Sequence, residues 1–406
     1  MVTRATQQCP AYPMSRDGYL LDPPTELCRM REERPISRVT LWDGSTPWLV
    51  TRFEDIRALL ADPRVSADTF VPTFPHMSEG MKARQMKGKT FINTDEPEHG
   101  QVRRKINADF TVKRVERLRP QVQAIVDGLI DDLLAGPKPA DLVAALALPV
   151  PSLVICEILG VPYEDRALFH ELSVTLNDGK ASAVESAAAM DRLLGYIGEL
   201  VDRKDAEPTD DLLGRLVVEQ LRTGGMSRDE ITKMVRLLLV AGHDTTANMI
   251  ALGTIALLER PEQLALLQGE VDPVLARSTV EELLRYLTVT HSGRRRVAAE
   301  DIDYHGTLIR KGEGLIFAAD VGNRDPRAFE GDPDAVELTR DSRSHVAFGF
   351  GVHQCLGQSL ARLELQVVYG TLYRRIPTLA LARPMTELEY KSDLSVYGVY
   401  ELPVTW

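Results

Sequence analysis

A mainly α-helical fold with small β-sheets near both ends is predicted by three features of the sequence. From Phe53 to about residue 290 the apolar residues recur mostly at helical spacing, punctuated by Pro and Gly. Strand-like runs flank that region, from Ile36 to Thr51 and from Ile302 to Phe317. No repeat and no linker long enough to separate domains interrupts the 406 residues, so a single domain spanning 1–406 is expected.

Taken in order, the lead-in to about Pro35 is Pro-rich and reads as irregular. Asp43-Gly44 sits between two short strands, a hairpin signal. Val115 to Ala135 has helical spacing and stops at Gly136-Pro137. The Ala-rich stretch from Ala181 to Met190 is helical in composition. His305-Gly306 and Lys311-Gly312 break the second strand region, and the tail after Pro384 is again short and strand-like.

Apolar residues make up 44% and charged residues 26%, the ordinary globular range, which excludes wholesale disorder and a fibrous protein. A chain this long buries roughly three quarters of its unfolded surface, so it needs no disulfide or metal staple. Lys plus Arg number 48 and Asp plus Glu 59, a net charge of −11 that argues against a general nucleic-acid or anionic-membrane binder. The four cysteines, Cys9, Cys28, Cys156 and Cys355, are widely spaced without a CxxC, which fits a reducing compartment. The first twenty residues lack the apolar run of a signal peptide, and no apolar stretch approaches the 18 or so residues of a membrane span. A cytoplasmic protein is expected.

Met226 to Arg260 is the most informative helix. Ser227 with Glu230 forms a capping box, and Pro261 follows the end. At 1.5 Å per residue it would run about 50 Å. Its middle is apolar on every side, from Leu237 through Val240 and from Met249 to Leu252, which implies burial. Within it lies Ala241-Gly242-His243-Asp244-Thr245-Thr246. Gly costs about 1 kcal/mol in a helix interior, and a buried Asp costs far more unless paired. One reading is a local opening of the helix, with a Thr hydroxyl taking a carbonyl from the ladder and a carboxylate beside a small ligand. The other is an Asp-Thr-Thr cap that starts a second helix after a break at Gly242. His243 reads as a neighbouring filler rather than a ligand.

A second constellation runs from Phe348 to Gly357, with Gly349, Gly351, His353 and Cys355 inside it. Helical spacing follows through Leu360, Leu363 and Val368, so Cys355 would lie near a helix N-terminus that favours thiolate over thiol. Gly349 and Gly351 permit backbone angles closed to other residues, and Gly357 permits a flat group to approach closely. Zinc fits poorly, because two further ligands at finger-like spacing are missing. A cysteine hydrolase would need a base that cannot be picked out. A single axial thiolate to haem iron needs one cysteine in a shaped glycine loop. The bland alternative is an inert cysteine in a glycine-rich turn.

Together these residues resemble the cytochrome P-450 family. Phe348-x-x-Gly351-x-x-x-Cys355-x-Gly357 is similar to its haem-ligand signature, and Ala241-Gly242-x-Asp244-Thr245-Thr246 to its oxygen-binding helix motif. Glu282-Leu283-Leu284-Arg285 matches its Glu-x-x-Arg motif, and Gly322-Asn323-Arg324-Asp325-Pro326 its Ala-Asn-Arg-Asp-Pro stretch with Gly for Ala. Asp95 to His99 and the ending Glu401 to Trp406 look most like the actinobacterial branch. The resemblance implies the P-450 fold, a triangular prism with a long central helix and haem between it and the cysteine-loop helix.

It also implies roles. Cys355 is the proximal ligand of haem b (iron protoporphyrin IX), and Phe348 and Gly349 pack beside it. Asp244 relays protons and Thr245 holds oxygen and water during protonation, with Ala241 on the same stretch. His99, Arg103, Arg296 and His353 match propionate-binding positions, although Arg294-Arg295-Arg296 as a charge run can equally be a solvated face. Glu282 and Arg285 are the ion pair that fixes the cysteine loop. Substrate contacts fall in Ser66 to Phe91 and Phe169 to Ser186, and at Leu238, Val289, Thr290, His291, Leu394, Ser395 and Val396.

The activity implied is a monooxygenase that inserts one oxygen atom of O2 into a small apolar organic substrate, such as a macrolide, terpenoid, sterol-like compound or xenobiotic. Electrons come from NAD(P)H through ferredoxin reductase and ferredoxin, for which Arg104, Lys105, Lys113, Arg114 and Arg117 offer a basic cluster. No nucleic-acid or membrane partner is expected. The rivals are a haem-thiolate peroxygenase, a nitric oxide reductase or a non-oxygenase haem sensor. The Asp244–Thr245 pair speaks against the first two.

Overall fold

The computed structural model describes residues 9–86, 89–165, 168, 171–172, 183–392, 394 and 396–406. The helices used below are α1 (Thr25–Glu33), α2 (Phe53–Ala61), α3 (Glu98–Ile106), α4 (Arg119–Ala135), α5 (Pro149–Leu159), α6 (Ala183–Ala206), α7 (Arg228–Leu258), α8 (Pro273–Tyr286) and α9 (Gln358–Arg375). The strands are β1 (Ile36–Arg38), β2 (Trp48–Val50), β3 (Val65–Ser66), β4 (Ala140–Asp141), β5 (Arg294–Ala298), β6 (Ile302–Tyr304), β7 (Thr307–Ile309), β8 (Gly314–Phe317), β9 (Ala380–Leu381) and β10 (Pro403–Thr405). The chain divides into two compact units. One comprises Met1–Gln101, Glu281–Val336 and Arg340–Cys355, the other Val102–Val280, Glu337–Thr339 and Leu356–Trp406.

The first unit is built on a sheet of order β1-β2-β8-β5-β3. β1 and β2 pair antiparallel around the predicted turn, where Gly44 takes φ +79. β2 then runs parallel to β8, with Trp48 opposite Leu315. β5 lies inside the sheet, with Arg294 opposite Phe317 on β8 and Val297 opposite Ser66 on β3. Phe53, Ile56 and Leu59 of α2 pack in one buried cluster with Val50, Leu315 and Phe317 of this sheet and with Phe329. At Gly322, where the motif has Ala, a Cβ would lie 2.5 Å from Ile56 Cδ1.

In the second unit α7 packs against α5, α6 and α9. The contact of α7 with α9 depends on a glycine. A Cβ on Gly253 would stand 2.0 Å from the Tyr369 hydroxyl, which donates to Met249 O at 2.5 Å. Tyr373 reaches Thr254 Oγ1 at 3.1 Å, one turn along each helix. β10 pairs with both β4 and β9 in a small sheet that carries the C-terminal strand.

Three expectations change. The lead-in holds the nine-residue helix α1, whose Leu27 and Met30 are buried; Pro24 stands at its N-cap, where a missing N–H costs little. Val115 to Ala135 is two helices, because Pro120 near the start of α4 has no N–H with which to continue the preceding helix Val112–Glu116. The apolar stretch of α7 from Leu237 to Val240 is not buried on every side, since Leu237 is half-buried and Val240 lies at 38% exposure.

Candidate haem site

In the first unit the cysteine loop owes its path to two glycines. Gly349 and Gly351 both take φ +75, where a side chain is strained. Space is short as well: a Cβ on Gly351 would lie 2.6 Å from Leu60 O, and one on Gly349 2.8 Å from Arg294 Nε. Cys355 N donates to Phe348 O at 2.9 Å and closes the loop. Helix α9 begins three residues later, at Gln358, with Gly357 as its N-cap. Among the described residues, nothing beyond its chain neighbours and the helix backbone lies within 4 Å of where a Gly357 Cβ would stand.

Strand β5 presents Arg294 to this loop. Its Nη2 donates to Ala347 O at 2.5 Å, while its Nε is buried without a partner among the described residues. Burial pushes the Arg294 guanidinium down, and the facing Cys355 acts in the opposite direction. Burial brings Arg296 down to about 10; Arg294 and Arg295 add to this and Asp95 offsets it. The three arginines are therefore not a solvated face. They are half-buried cations inside a sheet.

His99, on α3, is 1% exposed. Its Nδ1 lies 3.0 Å from Glu96 Oε1, and its Nε2 is buried with no partner among the described residues. The ring stands 4.1 Å from that of His353 and 6.0 Å from Phe91, centroid to centroid. Arg103 follows one turn later on α3, in the stretch assigned to the second unit.

Glu282 and Arg285 are completely buried on α8. The pair is bidentate, with both nitrogen–oxygen distances 2.8 Å. Arg285 also donates to Asn323 O, Pro333 O and Ala335 O, while Arg340 and Ser342 donate to Glu282. Asn323 Oδ1 in turn accepts from Val346 N at 2.8 Å, ahead of the cysteine loop. Every carboxylate and guanidinium of this cluster is thus compensated, which a buried pair requires.

In the second unit α7 is unbroken from Arg228 to Leu258, and its Ser227–Glu230 capping box forms as predicted. The reading of a second helix capped by Asp244 is therefore wrong. Thr245 Oγ1 donates to Ala241 O at 3.1 Å, the back-bond expected of a hydroxyl in this stretch. Asp244 Oδ1 accepts from Asn248 Nδ2 at 2.8 Å and lies 3.8 Å from Lys391 Nζ. Burial raises the Asp244 carboxyl, Lys391 lowers it, and Asn248 lowers it further; burial wins. His243 is buried, and Leu238 is buried on the same helix.

Of the remaining expected contacts, Val289 and Thr290 are half-buried and His291 is buried, with its carbonyl accepting from the Tyr12 hydroxyl. Val396 is half-buried. Ser395 and most of Phe169 to Ser186 lie outside the described residues. The sequence reading named Arg294 and Asn323 only within a charge run and a family motif, without these contacts, and did not single out Arg340, Asn248 and Lys391. Asn248 was within reach of helical spacing, one turn after Asp244. Arg340 and Lys391 come from loops far along the chain, for which no local pattern exists.

The sequence model of the family described as cytochrome P450 matches residues 188–376. Cytochrome P450 GfsF of Streptomyces halstedii is 50% identical over 98% of this chain and 97% of its own. The crystal structure of GfsF superposes with a TM-score of 0.94 at 49% identity, covering 98% of this chain and 100% of that one. This chain belongs to the cytochrome P450 family. Pentalenic acid synthase of Streptomyces avermitilis is 49% identical over 95% of this chain and 94% of its own. The mycinamicin VIII C21 methyl hydroxylase MycCI of Micromonospora griseorubida, solved with mycinamicin VIII, superposes at a TM-score of 0.88 with 40% identity, covering 98% of this chain and 100% of that one.

As a cytochrome P450 the protein is a monooxygenase whose cofactor is haem b. The residues present fit that group. Haem b carries two propionate carboxylates, and the first unit holds a buried polar nitrogen, His99 Nε2, that has no partner among the described residues. It also holds a thiol on a loop whose neighbouring charge is a guanidinium. Among the described residues no helix is long and apolar enough to cross a membrane.

Proposed function

We propose that Cys355 supplies the thiolate that ligates haem iron, with Phe348 and Gly349 beside the sulfur and Gly357 and Ala241 leaving room for the macrocycle. His99, Arg103, Arg296 and His353 hold the propionates. Haem b bound in this way supplies the activation of O2, one atom of which enters the substrate while the other leaves as water. Asp244 takes protons from water and passes them on, and the Thr245 hydroxyl holds the water through which they move. Glu282 and Arg285 serve folding and haem retention rather than chemistry.

The observation that carries this reading is the cysteine loop. It has two left-handed glycines, a Cys355 N–H satisfied by Phe348 O, and Arg294 as the facing cation. A cation beside a sulfur favours thiolate over thiol. All 406 residues act as one catalytic domain, as the near-complete overlap with GfsF supports. The substrate is a mostly apolar organic molecule of the macrolide, terpenoid or sterol-like kind, or a xenobiotic; relatives named for pentalenic acid and mycinamicin VIII support that range. Leu238, Val289, Thr290, His291, Ser395 and Val396 would contact it. Electrons reach the haem from NAD(P)H through a ferredoxin reductase and a ferredoxin in the cytoplasm.

The test is Cys355→Ser. The purified variant should lose the thiolate-type absorbance of the reduced carbon monoxide complex and all NAD(P)H-driven product formation. Persistence of that absorbance would remove Cys355 as the ligand.

A further inference from the structure

Asp244 is gripped from outside its own helix. Lys391 belongs to the C-terminal segment after α9, yet it is only 5% exposed and its Nζ lies 3.8 Å from Asp244 Oδ1. The same Nζ is 3.3 Å from Asn248 Oδ1, and Asn248 Nδ2 donates to both Asp244 Oδ1 and Asp244 O at 2.8 Å. The amide thus accepts from the lysine through its oxygen and donates to the carboxylate through its nitrogen. Only one orientation of the Asn248 amide satisfies both.

The backbone that carries Lys391 is held firmly. Lys391 N donates to Gly398 O at 2.9 Å, and Tyr390 bridges Val399. Gly398 itself presses on Asn248: a Cβ there would stand 1.6 Å from Asn248 Oδ1, so only glycine fits. The centroid of the Tyr400 ring lies 5.7 Å from the ammonium nitrogen. Burying a lysine is costly unless it is paired, and its partners here are one carboxylate and one amide on successive turns of α7. Among the described residues the charged group acting on Asp244 is Lys391.

We propose that Lys391 is a positioning residue for proton delivery, opposing the effect of burial on Asp244 and fixing its carboxyl in one orientation through a Lys391–Asn248–Asp244 triad. The inference rests on Asp244 being the proton-relaying acid. Asp244 gives up a proton and regains one from water, while Lys391 keeps its three protons throughout. Without the ammonium the Asn248 amide alone offsets the burial of Asp244 among the described residues, so the carboxyl should hold its proton to higher pH and rotate more freely.

The experiment uses haem-loaded protein labelled with [4-13C]aspartate, and Lys391→Met, Lys391→Arg and Asp244→Asn variants. The resonance missing in D244N identifies Asp244. Its titration should move up by about one unit or more in K391M, as removal of an opposite charge at this range predicts, and stay near wild type in K391R. In parallel, NADPH oxidation is followed with spinach ferredoxin and its reductase as surrogate donors; it should fall at least about tenfold in D244N and K391M and recover in K391R. An unmoved Asp244 titration in K391M, with D244N impaired, overturns the role of Lys391 alone. A D244N variant that oxidises NADPH like wild type overturns the relay reading on which the proposal stands, whatever K391M does. Should K391M not fold, Lys391→Gln reads the same titration.

Discussion

Glu364, on α9, is 3% exposed, and its Oε2 has no hydrogen-bond partner among the described residues. Burial pushes its carboxyl up to about 8. The sign of the linkage follows from proton counts: between about pH 4.5 and 8 the folded state keeps this proton and the unfolded state does not. The contribution of Glu364 is fully present below the lower value, falls by up to about 1.4 kcal/mol per pH unit, and is gone above the upper one. Glu364→Gln keeps the shape and removes the titration. Its thermal midpoint should therefore depend less on pH between 5.5 and 8 than that of wild type; parallel curves would show that Glu364 is not buried as described. Residues of this kind are hard to read from sequence. Glu364 lies in a helix of ordinary composition, and only packing on its neighbours strips away its water.

At the scale of elements, α8 does for the first unit what a disulfide does elsewhere. Arg285 spends its donors on Glu282 and on three carbonyls of the segment between Asn323 and Ala335. Removing one member leaves the other charged and buried, a cost of about 3–5 kcal/mol. Arg285→Ala should lower the urea midpoint accordingly and release haem on dilution, while Glu282→Gln with Arg285→Met, which leaves neither position charged, should recover part of the loss. A midpoint unchanged in the single variant would place the pair outside the folding core. The Glu-x-x-Arg spacing makes this pair legible, since three residues on a helix share a face. Its third member was not: Arg340 reaches Glu282 from a loop 58 residues away.

At the scale of the whole molecule, a net charge of −11 sets the background against which any acidic partner must dock. Of the five basic residues singled out, Arg114 pairs with Asp210 and Lys105 donates to Gly225 O. Arg104, Lys113 and Arg117 stay exposed. Reversing Arg104 and Lys113 to Glu should slow reduction by ferredoxin in stopped-flow at low salt, with the difference shrinking near 1 M salt, where screening acts within about 3 Å. Equal rates at low salt would exclude docking through these side chains.

The sequence by itself determined many of the elements and their chemistry: the capped helix α7, the Asp43-Gly44 hairpin, the glycines of the cysteine loop, and the residue types that resemble one family. Each depends on neighbours within a turn or two, which spacing reveals. Tertiary structure alone decided which distant groups complete them. Arg294 meets the cysteine loop from a strand some sixty residues earlier, and Lys391 meets Asp244 from the far end of the chain. Burial removes water from these charges, and the partner that replaces the water is chosen by the fold, with no trace in local order.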